Sequence, residues 1–250
     1  EVITQAFTFV ATVEAIIALG AKPVITNIDE TYGMCLHDLK KKINKKTKLI
    51  IPVPMLGNQI KINEINYIAK KKKILVLEDA CEALGAKIYG KYVGTNSDIG
   101  VYSLDFAKTI TTGEGGLIVT NKKKYYDYCK EFHDHGHKGS KKIGRANEKA
   151  RISGLNLRMT ELQAAVGIAQ LNKLDKIIQK NQKNKKYIKL NINSKYIKYR
   201  EIIDPKNELA DTLIFNFNNK LKAKKFYKLY SKKYSVKILP NALYWHFAYY

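Results

Sequence analysis

The pattern of apolar and polar positions predicts a chain in which strands and helices alternate. Residues 74–77 are apolar throughout, which is typical of a strand buried in a parallel sheet. Residues 62–72 instead place their lysines on the outer face of a helix. The same criteria predict strands at 23–28, 47–53, 74–78, 99–104 and 116–120, and helices at 36–43, 62–72 and 122–132. This alternation is typical of an α/β fold, with a mostly parallel central sheet and helices on both faces.

Local signals mark where several of these elements begin and end. Thr12 is the expected N-cap of a helix that ends at Gly20, a position suited to left-handed backbone. Thr160 and Gln163 have the spacing of a capping box, which predicts the start of a long helix. Gly90 separates two short β-prone stretches and predicts a hairpin.

The composition changes towards the C-terminus. Lysine and asparagine dominate beyond residue 181, and the pattern then predicts a strand at 211–219 and a basic helix at 220–233. We therefore expect a large domain at 1–185 and the start of a small α+β C-terminal domain at 186–250.

The charge of the 250-residue chain is strongly positive. Lys and Arg number 45 against 22 Asp and Glu, a formal net charge of +23, which suggests a polyanion partner. However, almost all of these basic residues are lysines, and proteins that read nucleic acids usually depend on the forked guanidinium of arginine. Lys, Asn and Ile are abundant together, so a general compositional bias explains the charge equally well. We expect no nucleic-acid partner, and a basic binding module remains the non-catalytic alternative.

The cysteines and the apolar runs indicate the compartment. Cys35, Cys81 and Cys129 form no C-x-x-C pair, which fits a reduced, cytoplasmic setting. No stretch reaches the roughly 18 apolar residues of a membrane span, so we expect no membrane association. Glu1 follows no initiator Met, and we expect the chain to be part of a longer protein.

Lys108 is the lysine whose setting most favours chemistry. It has no charged residue within two positions on either side, and a glycine cluster follows it at 113–116. A lysine in a partly desolvated pocket loses its proton more readily, and the free amine can attack a carbonyl to form a Schiff base. The alternative is an ordinary surface lysine in a loop.

Asp79 follows the predicted strand at 74–78. Ligands of open α/β sheets bind at the carboxyl ends of the strands, which is where this carboxylate is expected to lie. The alternative is that Asp79 caps the following turn.

The long polar stretch at 133–153 contains a histidine cluster. Loops of this length are usually functional or disordered. His133, His135 and His137 invite a metal site, but their spacing in a turn converges poorly and no set of cysteines or carboxylates completes it. We predict no metal site.

Several motifs in order resemble one known family. These are "EVITQAFTFVATVEAIIALGAKPV", "LEDACEALGA", "SLDFAKTITTGEGG", "HDHGH" and "GLNLRMTELQAAVGIAQLNKLD". The chain resembles the DegT/DnrJ/StrS family of pyridoxal-phosphate sugar aminotransferases, which have the aspartate-aminotransferase-like fold type I. The resemblance implies pyridoxal 5′-phosphate as cofactor. It also implies that a leading segment with a phosphate-binding turn, and much of the small C-terminal domain, lie outside this chain.

The resemblance implies roles for five residues around the cofactor. Lys108 is the amine that forms the Schiff base and then moves a proton, and Asp79 is the partner of the ring nitrogen. Phe9 stacks on the ring, with a core position as its alternative, and Ser103 binds the phosphate. Glu82 stands where the family often has a glutamine near the phenolic oxygen, so its role differs or it faces the substrate amine.

Other positions are implied to lie at the edge of the site. Asn156 matches a residue that reaches the phosphate of the neighbouring subunit, which predicts a homodimer with shared active sites. Arg158 holds this loop or an acidic group, and a local network at the start of the following helix is the alternative for both residues. His135 matches a residue bordering the site. His246 and Trp245 are further candidates for the substrate surface, with a core position as their alternative. The hydroxylic run at 109–112 is a looser candidate for the phosphate.

The implied reaction is transamination of an oxo-sugar, with L-glutamate as the expected donor. The branch that makes 8-amino-3,8-dideoxy-manno-octulosonate, an amino sugar acid of bacterial lipopolysaccharide, gives the best match of motifs. The alternatives are a nucleotide-linked 4-keto or 3-keto hexose as acceptor, or a related dehydration with the same cofactor. Relatives that dehydrate resemble the pattern with histidine in place of the lysine, so Lys108 favours transamination.

Overall fold

The computed structural model describes residues 1–140, 142–192 and 194–236. The strands in these ranges are β1 (Val2–Gln5), β2 (Pro23–Thr26), β3 (Leu49–Ile51), β4 (Leu75–Asp79), β5 (Lys87–Ile88), β6 (Lys91–Tyr92), β7 (Ile99–Ser103), β8 (Gly116–Val119), β9 (Ile197–Tyr199) and β10 (Phe215–Phe217). The α-helices are α1 (Val10–Ala18), α2 (Leu36–Lys42), α3 (Ile62–Lys71), α4 (Lys123–Phe132), α5 (Glu161–Leu171), α6 (Leu174–Asn191) and α7 (Lys220–Tyr230). Short 3₁₀ turns occupy Met55–Gly57 and Arg145–Asn147.

A six-stranded sheet in the order β2-β1-β3-β4-β7-β8 forms the centre of the fold. The first five strands in this order are mutually parallel, and β8 pairs antiparallel with β7. The predicted α/β fold with a mostly parallel sheet is therefore confirmed. The predicted hairpin around Gly90 is also present, as the antiparallel pair β5 and β6.

Both faces of the sheet are covered, as the alternation of side chains along each strand requires. Ile3 and Ile50 point to one face, where they pack in a core with residues of α2 and α3. Their neighbours Val2 and Ile51 point to the other face and pack with Ile16 of α1. The helices therefore lie on opposite sides of one sheet.

Strand β1 lies between β2 and β3, and the sequence pattern did not predict it. All four of its residues are buried although Thr4 and Gln5 are polar. Their polar atoms are satisfied: the Thr4 hydroxyl donates to Ile51 O at 2.8 Å, and the Gln5 amide donates to Phe7 O at 2.8 Å and Val53 O at 2.9 Å. Gln5 Nε2 also lies 3.1 Å from Tyr32 O, and Gln5 Oε1 accepts the Val53 N–H at 3.1 Å.

Two predicted helix starts had different outcomes. The expectation that Thr12 caps α1 is wrong, because the helix begins at Val10 after Phe9 and Thr12 lies in its first turn. The capping box of α5 is confirmed, since Thr160 Oγ1 accepts the Gln163 N–H at 3.2 Å and Gln163 Oε1 accepts the Thr160 N–H at 3.0 Å.

The C-terminal part contains a small antiparallel pair, β9 and β10, with α7 beside it. Phe226 of α7 packs edge-on against Phe215 at a centroid distance of 5.4 Å. Helix α6 runs without interruption across the predicted domain boundary at residue 185. Lys185 itself is buried and pairs with Glu208 at 2.5 Å. The division into two domains stays a prediction.

None of the helices within the described ranges has both the length and the apolarity needed to cross a bilayer.

Candidate active site

The carboxyl ends of the parallel strands bring the predicted site residues to one edge of the sheet. Asp79 is the last residue of β4 and Ser103 the last of β7, and these two strands are neighbours. The loop after β1 carries Phe9 and leads into α1. This edge is where ligands of open α/β sheets bind.

Lys108 lies in a loop that leaves β7 and returns as β8. The loop is closed at its base, because the Leu104 N–H donates to Gly115 O at 2.8 Å and the Thr112 N–H donates to Leu104 O at 3.0 Å. The Lys108 N–H donates to Asp105 O at 3.1 Å, which fixes the backbone at the lysine itself. The side chain of Lys108 is 22% exposed, so the amine is neither in bulk water nor sealed in the core.

Glu82 is the carboxylate beside this amine. Its Oε1 atom lies 3.7 Å from Lys108 Nζ. Its Oε2 atom accepts the Leu56 N–H at 3.0 Å, and its backbone oxygen accepts the Gly57 N–H at 2.9 Å. Leu56 has φ of 54°, a left-handed conformation that is uncommon outside glycine. The 3₁₀ turn thus presents its N–H groups to Glu82 and holds the carboxylate towards the lysine.

Arg200 holds the same turn from the other side. It is only 4% exposed, and its two terminal nitrogens donate to Met55 O and Leu56 O, each at 2.8 Å. Burial lowers the pKa of its guanidinium to about 10. The sequence analysis missed this residue, although a rare arginine in a lysine-rich chain was a usable signal. A guanidinium reaches two adjacent carbonyls in a way that a lysine does not.

Asp79 accepts hydrogen bonds on both carboxylate oxygens. The Thr12 hydroxyl donates to Oδ2 at 2.7 Å, and the Cys81 N–H donates to Oδ1 at 3.3 Å. A second hydroxyl, that of Thr8, lies 2.7 Å from Thr12 Oγ1. Sequence reasoning assigned Thr12 to a cap and did not connect either threonine with the site.

Cys81 shows that the acid and the amine share one site. Burial raises the pKa of the Cys81 thiol, and the Asp79 carboxylate raises it further. The ammonium of Lys108 acts on the same thiol in the opposite direction. Asp79 and Lys108 are therefore both near enough to the Cys81 thiol to influence its pKa.

The two phenylalanines after β1 have different environments. Phe7 is buried and packs edge-on against Tyr32 at a centroid distance of 5.6 Å, so it belongs to the core. Phe9 is 43% exposed and stands immediately before α1. Its ring is accessible at the same edge of the sheet as Asp79, and its role in stacking stays a prediction.

The hydroxyls near the lysine differ in what they bind. Ser103 Oγ accepts the Asp105 N–H at 3.2 Å and keeps its own hydrogen to donate. Thr111 donates to Leu104 O at 3.0 Å and Thr112 to Glu114 O at 2.7 Å, so both brace the lysine loop. Of these hydroxyls, Ser103 is the better suited to a phosphate.

The segments around His135 and Asn156 pair with each other. The His135 N–H donates to Leu155 O at 3.0 Å, and an antiparallel bridge joins Asp134 to Asn156. Arg158 donates to Asp134 Oδ1 at 2.5 Å. The structure thus brings these predicted residues together, with both Asn156 and His135 exposed. His246 and Trp245 lie outside the described residues.

The clustered histidines have separate partners. His133 Nδ1 lies 2.5 Å from Lys130 O, whereas His137 Nδ1 lies 3.6 Å from Glu148 Oε2. Nowhere in the described ranges do three or more His, Cys, Asp or Glu side chains gather as a metal site would require.

The donor set at the sheet edge fits pyridoxal phosphate. An accessible amine, Lys108, reacts with an aldehyde, and a carboxylate at a strand end, Asp79, suits a protonated ring nitrogen. An exposed ring, Phe9, suits stacking, and the Ser103 hydroxyl can donate to a phosphate. These four groups come from three separate elements that meet at one edge of the sheet.

Comparison with known proteins places this geometry in a family. The sequence profile of the DegT/DnrJ/EryC1/StrS aminotransferase family matches residues 1–238. A GDP-perosamine synthase of Escherichia coli O157:H7 is 41% identical over 195 residues, which cover 78% of this chain and 52% of that protein. A GDP-4-keto-6-deoxy-D-mannose 3-dehydratase of Yersinia pseudotuberculosis is 34% identical over 197 residues, covering 74% of this chain and 50% of that protein. The chain thus spans about half the length of the curated relatives it matches.

A solved structure supports the same fold. The Helicobacter pylori aminotransferase PseC, involved in the biosynthesis of pseudoaminic acid, matches with a TM-score of 0.80 and 26% sequence identity. The match covers 98% of this chain and 71% of that one. The fold class expected from the resemblance, that of pyridoxal-phosphate transferases of fold type I, is confirmed.

Proposed function

Because this chain belongs to the DegT/DnrJ/EryC1/StrS aminotransferase family, we propose that it transfers an amino group from an amino acid to an oxo-sugar with pyridoxal 5′-phosphate. The observation that carries the proposal is the position of Lys108. Its amine lies 3.7 Å from Glu82, on the carboxyl edge of the sheet where Asp79 ends the neighbouring strand.

The roles of the residues follow from their positions. When bound, pyridoxal phosphate supplies an aldehyde that reacts with primary amines and a protonated ring that withdraws electrons. Lys108 would hold the aldehyde and would move the proton at the substrate carbon. Asp79 would keep the ring nitrogen protonated, Phe9 would stack on the ring and Ser103 would donate to the phosphate.

The Glu82 carboxylate is the proposed partner of a positively charged amine in the site. A carboxylate held by the Leu56 N–H at 3.0 Å has a fixed position and cannot follow the amine as it moves. It therefore receives the ammonium of Lys108, or that of the donor amino acid, at one defined place. This placement supports the reading in which Glu82 faces an amine rather than the phenolic oxygen.

The acceptor is an oxo-sugar used for bacterial surface polysaccharide. Relatives named for nucleotide-linked sugars favour a nucleotide-linked keto-hexose, as in the GDP-perosamine synthase that is 41% identical. The 8-oxo form of 3,8-dideoxy-manno-octulosonate, which the motifs suggest, is the second acceptor to be tested. L-Glutamate is the proposed donor.

Dehydration is the second candidate reaction, because a 3-dehydratase is among the relatives at 34% identity. The two reactions differ in what the active-site base must do. A residue that must bind the aldehyde covalently and be released again needs a primary amine, which a histidine does not have. Lys108 therefore favours amino transfer.

A homodimer with shared active sites is part of this proposal. Helix α5 carries large apolar side chains that face solvent, among them Leu162 at 82% and Ile168 at 64% exposure. Such a face on a helix is typical of an interface. Asn156, exposed just before this helix, is the residue proposed to reach the phosphate bound by the partner subunit.

We place this reaction in the cytoplasm. Cys35, Cys81 and Cys129 are free thiols, which fits a reducing compartment.

Covalent trapping tests the proposal directly. The full-length protein is incubated with pyridoxal phosphate, reduced with borohydride, digested and analysed by mass spectrometry. We expect a pyridoxyl group on Lys108, no label there in Lys108→Ala, and unchanged labelling in Lys91→Ala, an exposed lysine of the β5–β6 hairpin. Label on other lysines alone would contradict the proposal.

The acceptor is then identified by testing the candidate sugars named above. L-Glutamate is supplied with a panel of nucleotide-linked keto-hexoses and with the 8-oxo octulosonate, and release of 2-oxoglutarate is measured. A sugar product that has lost a hydroxyl and gained no amino group, identified by mass spectrometry, would favour dehydration instead.

A further inference from the structure

Two buried threonines and Asp79 form a continuous chain of hydrogen bonds. Thr8 Oγ1 lies 2.7 Å from Thr12 Oγ1, which in turn lies 2.7 Å from Asp79 Oδ2. Thr8 is fully buried and Thr12 is 6% exposed, so water does not compete for these bonds. Neither hydroxyl has a part in the roles described above.

The direction of this chain is fixed by the carboxylate. An ionised carboxylate only accepts hydrogen bonds, and a threonine hydroxyl has a single hydrogen to give. Thr12 therefore donates its hydrogen to Asp79, and its oxygen accepts the hydrogen of Thr8. Each hydroxyl has one available orientation, and the pair acts as a rigid support.

The support joins two elements that both face the proposed cofactor. Thr12 lies in the first turn of α1 and Thr8 in the loop before it, whereas Asp79 ends β4. Phe9, the proposed stacking residue, lies between the two threonines in the sequence. The Cys81 N–H holds the other oxygen of Asp79 at 3.3 Å. One short segment thus holds the carboxylate and also carries the residue proposed to stack on the ring.

We propose that Thr12 is a positioning residue, whose hydroxyl, supported by Thr8, holds the Asp79 carboxylate in the orientation that accepts the N–H of the cofactor ring. This inference rests on the proposed function. An aspartate has two rotatable side-chain bonds, and a carboxylate free to turn about them would meet the ring nitrogen in only some of its orientations. A donor that fixes one orientation improves both binding and the protonation of the ring.

The test compares two substitutions at one position. Thr12→Val keeps the shape of the side chain and removes the hydroxyl, whereas Thr12→Ser keeps the hydroxyl. The dissociation constant for pyridoxal phosphate and the pH dependence of the bound cofactor's absorbance are measured on the full-length protein. We expect Thr12→Val to weaken binding about tenfold or more and to move the spectral transition, because a hydrogen bond to a charged group is lost. Thr12→Ser is expected to stay within about twofold of the wild type, since it restores the donor.

A matched control separates positioning from stability. Thr4 is also a buried threonine, and it donates to a backbone oxygen, Ile51 O, at 2.8 Å. Thr4→Val is expected to lower thermal stability while leaving cofactor affinity and the spectral profile as in the wild type. Thr8→Val is expected to change the cofactor affinity and the spectral profile in the same direction as Thr12→Val, but by less. It provides the test if Thr12→Val does not fold.

The outcomes are distinguishable. A wild type that binds no pyridoxal phosphate overturns the proposed function and this inference together. A wild type that binds it, with Thr12→Val or Thr8→Val unchanged in affinity and profile, overturns only the inference. Equal effects of Thr4→Val and Thr12→Val on cofactor affinity and on the spectral profile also overturn the inference, because the loss then comes from packing and not from the hydrogen bond to Asp79.

Discussion

Glu82 and Lys108 form an ion pair, with Oε1 3.7 Å from Nζ, although they lie 26 positions apart on different loops. The pair exists because Glu82 follows β4 and Lys108 follows β7, and these neighbouring strands end at the same edge of the sheet. The carboxylate does not depend on the lysine for its place, since the Leu56 N–H holds it at 3.0 Å. The negative charge beside the amine therefore has a fixed position.

The first prediction concerns this pair. Glu82→Gln removes the negative charge that faces the Lys108 amine but keeps an oxygen for the Leu56 N–H. We expect pyridoxal phosphate to be incorporated at pH 7 about two- to fivefold faster, because the amine no longer has to leave an ion pair worth up to about 1 kcal/mol before it reacts. Stopped-flow absorbance gives the rate.

The control for this prediction is a distant carboxylate. Glu64→Gln changes the net charge equally on the exposed face of α3 and is expected to leave the rate unchanged. Equal effects of the two substitutions would mean that net charge, and not the contact with Lys108, is responsible.

The second prediction concerns Arg200. Arg200→Met removes both donors to the carbonyls of the 3₁₀ turn, each now bonded at 2.8 Å in a buried place. We expect the free energy of unfolding to fall by about 2–4 kcal/mol, because each of the two carbonyls loses a charged donor in a largely buried place. Urea denaturation monitored by circular dichroism gives the value.

An exposed ion pair provides the comparison. Lys123→Met breaks a pair with Asp127 in which the lysine side chain is 84% exposed, and we expect a loss below about 1 kcal/mol. If the two substitutions cost the same, Arg200 does not stabilise the turn in the way described.

The third prediction concerns pH. Burial, and then the nearby Glu78 carboxylate, raise the pKa of Tyr102 from 10.0 to about 12. Between these values the unfolded chain has released a proton that the folded chain retains, so stability falls as the pH rises. This loss is about 1.4 kcal/mol per pH unit within the window.

Tyr102→Phe isolates this effect from the other groups that titrate at alkaline pH. At pH 8 the variant is expected to be less stable by about 1 kcal/mol, because it lacks a hydrogen bond. That bond is the one from Tyr102 to Val93 O at 2.7 Å. At pH 11 the difference is expected to close, and a difference that stays constant between the two pH values would contradict the assignment. Urea titrations at both pH values measure it.

The fourth prediction concerns a close approach of two backbone segments. A Cβ atom added at Gly100 of β7 would lie 1.7 Å from Gly94 O, so one of the two segments would have to move. We expect Gly100→Ala to lower the free energy of unfolding by about 3 kcal/mol or more. Gly144→Ala meets nothing within 4 Å and is expected to change it by less than about 0.5 kcal/mol. Thermal denaturation of both variants measures the effect. Similar losses of stability in the two variants would refute the steric argument.

Sequence reasoning succeeded where a signal was local. The isolation of Lys108, the strand before Asp79 and the capping box at Thr160 are each visible within a few residues, and each is present in the structure. A carboxylate at the end of a strand and a capping box at the start of a helix both depend on residues that are close in the sequence. Pattern alone therefore predicted most of the sheet, and the resemblance to the family assigned the lysine and the acid to one site.

The failures came from partners distant in the chain. Strand β1 was missed because Thr4 and Gln5 do not look buried until their bonds to β3 and the loops are known. Thr12 was assigned to a cap because its partner, Asp79, lies 67 positions later. Arg200 binds backbone carbonyls, which every residue has, so only the rarity of arginine in this chain marks it in the sequence.

Gln5 has a consequence for anyone who remodels this scaffold. Its one amide group joins Phe7, Val53 and Tyr32, which lie on three separate loops around the site. Glutamate has the length but no N–H, and methionine has neither donor nor acceptor of comparable strength. A library designed to alter the preference for the acceptor sugar should therefore keep Gln5 and randomise the exposed positions around it. Every variant needs these three loops held in the same place.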